Sequence, residues 1–234
     1  MKDLIAELNQ RFATATPEEA ISWFVSEYPE TVSFSSSFGA EDQVITAMLA
    51  GINLHVRFFT LDTGRLFQET YDVMHITEQK YGIRFELFFP DAAKVEEMVK
   101  NYGINLFYES FENRRFCCHV RKIEPLKRAL HEMKVWITGQ RKDQSVTRSS
   151  ADRVEWDEVN QVIKLNPLVN WSSEDVWAYI RLHKIPYNEL HDKGYPSIGC
   201  QPSTRAILPG EDQRAGRWWW ELPEFKECGL HKKS

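Results

Sequence analysis

Between Thr31 and Tyr102 the chain changes its hydrophobic period repeatedly. Three runs rich in β-branched and aromatic residues, Thr31 to Ser35, Asn53 to Thr60 and Arg84 to Phe89, are separated by stretches of helical spacing that begin at Glu41, Leu66 and Ala92. Strand and helix alternating in this way form a parallel sheet with helices on its faces. The expected fold class is therefore α/β, a doubly wound, mostly parallel sheet flanked by helices. Ligands in such sheets sit beyond the carboxyl ends of the strands. The first strand runs out there through Ser35, Ser36, Ser37, Phe38 and Gly39, and the second through Leu61, Asp62, Thr63 and Gly64.

The first of these junctions suits an anion. A helix N-terminus offers N–H groups and the positive end of its dipole. The three serine hydroxyls add donors, and Gly39 permits close backbone approach. The loop lacks the Gly-Lys-Ser/Thr of the Walker pattern.

Other elements extend the pattern on both sides. Leu4, Ile5, Leu8 and Phe12 recur at helical spacing, and Pro17-Glu18-Glu19 after Thr16 starts a second helix. Arg121 to Met133 reads as a helix, and Val135 to Gly139 as a strand ending in a basic loop. Val154 to Trp156 and Val162 to Leu165 read as a short hairpin, and Ser172-Ser173-Glu174-Asp175 caps a helix through Leu182. The expected organisation is N-terminal helices over 1–30, one domain over 31–209 and a mobile tail over 210–234. At 234 residues, 42% hydrophobic and 27% charged, the chain suits one sizeable water-soluble domain.

A net charge of -5 argues against a general nucleic-acid binder but leaves room for a local basic pocket. No apolar run approaches a membrane span, and Met1 to Glu7 is an acidic amphipathic start without a signal-peptide core. The expected compartment is the cytoplasm, with no membrane partner. The apolar N-terminal helices offer a surface for a symmetric homo-oligomer.

The chemistry-bearing residues are cysteines and arginines. Cys117, Cys118, Cys200 and Cys228 read as ligands or nucleophiles rather than disulfide partners, because adjacent cysteines seldom bridge. Arg141 and Arg148 follow the strand ending at Gly139, while Arg214 and Arg217 precede Cys228. Guanidinium groups stay charged and grip oxyanions through paired bonds, which suits a phosphate or sulfate ligand.

Several separated segments, in order, resemble the assimilatory adenylyl-sulfate and phosphoadenylyl-sulfate reductases of the iron–sulfur type. They are S-F-S-S-S-F-G, which is similar to the modified phosphate loop of the adenine-nucleotide α-hydrolase-like superfamily, then L-D-T-G, F-C-C-H-V-R-K, G-Y-P-S-I-G-C-Q-P-S and E-C-G-L-H. The resemblance implies a four-iron four-sulfur (4Fe-4S) cluster on Cys117, Cys118 and Cys200, with Ser203 standing where the family has its fourth cysteine. A serine oxygen is a harder and far less acidic donor than a thiol, so a labile cluster, a three-iron cluster and an iron-poor protein all remain open. It further implies that Asp62, Thr63 and Gly64 lie beside the nucleoside and that Gly139, Arg141, Arg148, Arg214 and Arg217 hold the phosphosulfate. Lys122 would link cluster and substrate charge, Cys228 would be the nucleophile, and His231 would orient or stabilise its thiolate.

The activity implied is reduction of adenylyl sulfate to sulfite and AMP through an S-sulfocysteine, with thioredoxin or glutaredoxin as the second thiol. Phosphoadenylyl sulfate, giving 3′,5′-ADP, is the alternative substrate. Two other readings use the same fold: a nucleotide-activating enzyme that splits ATP between its α and β phosphates, and a non-catalytic iron–sulfur sensor. The first would show Ser-Gly-Gly-x-Asp where this chain has Ser36-Ser37-Phe38-Gly39-Ala40.

Overall fold

The computed structural model describes residues 1–52, 55–144, 148–222, 226 and 229–230. Its centre is a six-stranded sheet built from β1 (Val32–Ser35), β2 (Arg57–Leu61), β3 (Glu86–Phe88), β4 (Val135–Ile137), β5 (Val154–Asp157) and β6 (Val162–Leu165), in the order β3-β2-β1-β4-β6-β5. Every pairing is parallel except β5 with β6, the expected hairpin. The order runs outward from β1 in one direction through β2 and β3, and in the other through β4. A crevice therefore opens where the β1 and β4 connections diverge.

Alternation along the strands sorts side chains to the two faces. Val135, Ile137, Phe34 and Phe58 join the larger core, beneath α1 (Lys2–Arg11), α2 (Pro17–Glu27), α3 (Ala40–Ile52) and α8 (Ser173–His183). Trp136 and Phe59 point the other way, against Leu126, Ala129 and Leu130. A third cluster of Met98, Leu106, Phe107, Cys117 and Val120 holds α5 (Ala92–Tyr102) to the helices that follow. Asn9 on α1 pairs with both main-chain groups of Val154, accepting its N–H at 3.0 Å and donating to its carbonyl at 2.8 Å.

Two helices differ from the sequence expectation. α4 (Gln68–Tyr81) begins at Gln68 rather than Leu66, because Phe67 is extended and its buried ring stacks edge-on against Tyr195. The single helix expected from Arg121 is instead a longer run: α6 (Phe111–Cys118), one π-helical turn (His119–Ile123) and α7 (Glu124–Ala129). Ser110 caps it, accepting from the Asn113 N–H at 3.0 Å. The widened turn has a local cause: Pro125 has no N–H to give the carbonyl of Arg121, and its ring crowds that carbonyl.

No helix among the described residues is long and apolar enough to cross a membrane. The tail expected from Gly210 is docked over its first dozen residues: Arg214, Arg217 and Trp218 are buried, and Arg217 bridges Thr204 as a short antiparallel pair. Cys228 and His231 lie outside the described residues.

Candidate active site

A cleft of about 210 Å³ occupies the crevice at the carboxyl ends of β1 and β4. Of the residues expected to bind substrate, Ser35, Ser36, Ser37, Gly39, Thr63, Lys122, Gly139 and Arg148 line it, as do Arg214 and Arg217. Phe38, Asp62, Gly64 and Arg141 do not, and each has a physical reason.

Phe38 adopts a left-handed φ of 59° and buries its ring against Phe85, 4.8 Å between centroids. It anchors the loop from beneath. Asp62 accepts from the Gly64 N–H at 2.7 Å and from the Tyr71 hydroxyl at 3.0 Å, so its carboxylate shapes the turn in which Gly64 has φ 69°. Arg141 is drawn to an acid 100 residues away in the sequence. Its Nε and Nη2 hold Glu41 at 2.9 Å and its Nη1 the Trp171 carbonyl at 3.1 Å, with the side chain 2% exposed. Its role is to brace Glu41 in the cleft wall.

The serine loop is also more self-contained than the sequence suggests. The Ser36 N–H donates to the Phe59 carbonyl, the Phe38 N–H to Ser36 Oγ, and both N–H and hydroxyl of Ser37 to Asp42, at 2.6 and 2.7 Å. Ser35 Oγ accepts from the Trp136 indole at 2.8 Å. With Glu41 and Asp42 occupying the first turn of α3, the helix dipole is partly answered from within. Most of the attraction for an anion therefore comes from Lys122, Arg148, Arg214 and Arg217.

Asp42 is buried in the cleft wall, and a methyl group on Gly139 would overlap its carboxylate, so only glycine fits there. Burial pushes the Asp42 carboxyl up to about 6, the Ser37 bonds opposing and Glu41 reinforcing the rise. A carboxyl raised on folding from 3.8 to about 6 binds more protons folded than unfolded between those values. Its contribution to stability is thus full below the lower value and lost as pH climbs through the upper one. Asp42→Asn keeps an oxygen for Ser37 and removes the loss. Urea unfolding should show the variant gaining on the wild type by about 1–3 kcal/mol between about pH 4 and pH 7; a difference that does not move with pH would refute this.

His191 and Trp218 also line the cleft. Burial holds the His191 imidazole below its ordinary value, hence neutral, despite the nearby Glu41. Glu41, Asp42 and Ser197 are cleft residues that the sequence did not single out, and only their neighbours in the two flanking loops could have pointed to them.

Behind the cleft lies a second, smaller chamber. Cys117, Cys118, Cys200 and Ser203 all line it, with Arg65, Arg114, Arg121 and Lys122. Lys122 and Trp218 belong to both spaces and form the wall between them. Burial raises the Cys117 thiol. Burial acts the same way on Cys200, but Lys122, the Thr63 hydroxyl at 3.4 Å, Arg217 and Arg121 outweigh it and bring that thiol below its ordinary value.

Three thiols and a hydroxyl ringed by cations fit an anionic iron–sulfur group. Arg121 Nε is a buried N–H without a hydrogen-bond partner among the described residues, as a donor kept for such a group would be. Among the described residues no three His, Cys, Asp or Glu side chains converge as on a single metal ion.

Residues 31–206 match the phosphoadenosine phosphosulfate reductase domain. The chain belongs to that family. A reductase from Allochromatium vinosum, described as adenosine 5'-phosphosulfate reductase, is 52% identical over 88% of this chain and 80% of its own length. The crystal structure of phosphoadenylyl-sulfate reductase from Candida auris, a phosphate complex, superposes with a TM-score of 0.77 at 31% identity, over 88% of this chain and 98% of that one. FMN adenylyltransferase from Candida glabrata shares the fold alone, with a TM-score of 0.59 at 17% identity over 92% of this chain and 73% of that one. The cleft lies at the carboxyl ends of the parallel strands, and the cysteine chamber adjoins it across Lys122 and Trp218.

Proposed function

We propose that this chain reduces adenylyl sulfate to sulfite and AMP, using a dithiol protein such as thioredoxin or glutaredoxin, in cytoplasmic sulfate assimilation. The observation that carries the reading is the cationic cleft walled by Lys122 and Trp218 from the cysteine chamber. The residues flanking Cys228 support it. Leu230 lines the cleft, and the Lys226 carbonyl accepts from Arg214 at 2.8 Å.

In this reading the Cys228 thiolate attacks the sulfur of the bound sulfate group. The bond from sulfur to the bridging oxygen breaks, and its electron pair leaves with AMP. Arg148, Arg214 and Arg217 neutralise the sulfate and the departing phosphate. The S-sulfocysteine is then attacked at Cys228 Sγ by an external thiolate, releasing sulfite with the bond's electron pair and leaving a mixed disulfide. The second thiol of the donor resolves it, so the donor emerges oxidised. His231 would orient the nucleophile, and the chain beyond Leu222 would move outward to meet the donor.

Cys117, Cys118 and Cys200, with Ser203, would hold an iron–sulfur cluster. When bound, it would supply a polarisable, redox-capable centre behind Lys122. The 52% identity to a relative described as adenosine 5'-phosphosulfate reductase favours the unphosphorylated nucleotide.

The test is intact-protein mass with peptide mapping after anaerobic mixing with adenylyl sulfate, or its 3′-phosphorylated form, in the absence of thiol. A sulfonate adduct confined to Cys228, formed with adenylyl sulfate and released as sulfite by reduced thioredoxin, is the expected result. Absence of an adduct with either nucleotide, in protein shown to contain iron, would remove the proposal. Pyrophosphate release from ATP would revive the nucleotide-activating reading.

A further inference from the structure

The segment that brings Arg214 and Arg217 to the cleft is fastened from the cysteine side by a buried ion pair. Arg114, on α6 about one turn before Cys117 and Cys118, donates from Nε and Nη2 to the two carboxylate oxygens of Glu221 at 2.9 and 2.7 Å. The two side chains are 1% and 8% exposed. The Arg114 guanidinium also lies 4.8 Å from the centre of the Trp218 ring, and Arg217 lies 4.6 Å from the same ring. A continuous series of contacts thus runs from Glu221 through Arg114 and Trp218 to Arg217 in the cleft.

Its backbone is held with equal care. Trp218 has a left-handed φ of 38°, which a bulky residue keeps only where its surroundings over-determine it. Its N–H donates to the Ser203 carbonyl at 3.1 Å, and its own carbonyl accepts from the Glu221 N–H at 2.8 Å. Arg205 donates in turn to the Gly216 carbonyl at 3.0 Å. A buried ion pair contributes little net stability against an apolar replacement, so its attested use is to select one arrangement.

We infer that Arg114 and Glu221 form a clasp that positions Arg217 for the substrate anion, joining the cysteine chamber to the cleft mechanically. Glu221 is a positioning residue: it acts through Arg114 and Trp218. The inference rests on the function proposed above insofar as the anion is adenylyl sulfate.

The experiment compares wild type, Glu221→Gln and Glu221→Asp. In Glu221→Gln the KM for adenylyl sulfate should rise about ten- to a hundredfold, the worth of one charged hydrogen-bonded contact, with kcat altered less. Glu221→Asp, which keeps the charge on a shorter stem, should recover part of that rise and serves as the test if the glutamine variant does not fold. A merely structural role would lower the active fraction, and hence kcat, with KM unmoved; that result overturns the clasp.

Amide hydrogen exchange over residues 211–222 of the free protein is read alongside. Faster exchange in Glu221→Gln is expected, and unchanged exchange overturns the clasp. If the wild type fails to turn over adenylyl sulfate, the functional reading falls, while the exchange measurement still decides the clasp.

Discussion

Gly199→Ala is expected to leave the fold standing and to reduce kcat/KM for adenylyl sulfate about ten- to a hundredfold. A methyl group built on Gly199 falls within the guanidinium of Arg217, overlapping Nη2, Cζ and Nη1. The obstacle is the far end of a flexible side chain rather than backbone, so the conflict is relieved by swinging the guanidinium aside. That movement costs little stability but breaks its bonds to the Ile198 carbonyl at 3.1 Å and to Ser197 Oγ at 3.4 Å. It also takes the charge away from the cleft in which the proposed function places the substrate anion. Arg217→Ala, which removes the charge altogether, sets the upper bound at about 10²- to 10³-fold.

Gly216→Ala provides the contrast, because its methyl would meet the Arg205 carbonyl oxygen, a backbone atom that cannot step aside. There the loss should appear as a lower melting temperature. Steady-state kinetics and thermal unfolding of the three variants separate the cases. Wild-type kcat/KM in Gly199→Ala would show that Arg217 does not act on the substrate.

The strand and helix pattern was legible because it is local. Each period, each capping serine and the small-residue loop after β1 can be read within a dozen residues. Which side chains enter the cleft was not legible, because distant partners decide it. Arg141 and Arg148 are indistinguishable in sequence, yet Arg141 is claimed by Glu41, a hundred residues earlier, and Arg148 reaches the cleft. The loop N–H groups of Ser36 and Ser37 are taken by the Phe59 carbonyl and Asp42, partners that the loop's own sequence does not reveal. α6 and its Ser110 cap were not singled out from the sequence, and the π turn after Cys118 depends on how Pro125 is accommodated. The four cluster-type positions were legible by resemblance, and the structure gathers all four around one chamber.

Ser203→Cys is expected to change the metal content of the protein. Ser203 sits on a tight 3₁₀ turn (Gln201–Ser203), buried to 6% exposure, with its hydroxyl donating to the Cys200 carbonyl at 3.2 Å. The turn itself is secured by main-chain bonds, from the Ser203 N–H to Cys200 at 3.0 Å and from Trp218 to the Ser203 carbonyl at 3.1 Å. A thiol at this position would therefore occupy the same place in the wall of the chamber.

The difference lies in the donor. A thiol titrates near about 8.5 and ionises readily on soft iron, whereas a serine hydroxyl is far less acidic and far harder. With three thiolates available, one iron of a cluster would be held by its weakest ligand and leave first. Anaerobically purified wild type should thus carry about three irons per chain or fewer and, once treated with a mild one-electron oxidant, show the EPR signal of an oxidised three-iron cluster, while Ser203→Cys should approach about four and be EPR-silent as isolated. Loss of iron to a chelator should be at least about tenfold slower in the variant, since a thiolate would then replace the weakest ligand. Equal iron content and equal rates of loss in both proteins would show that Ser203 takes no part in holding the cluster, and iron-free protein in both would remove the cluster from the chamber altogether.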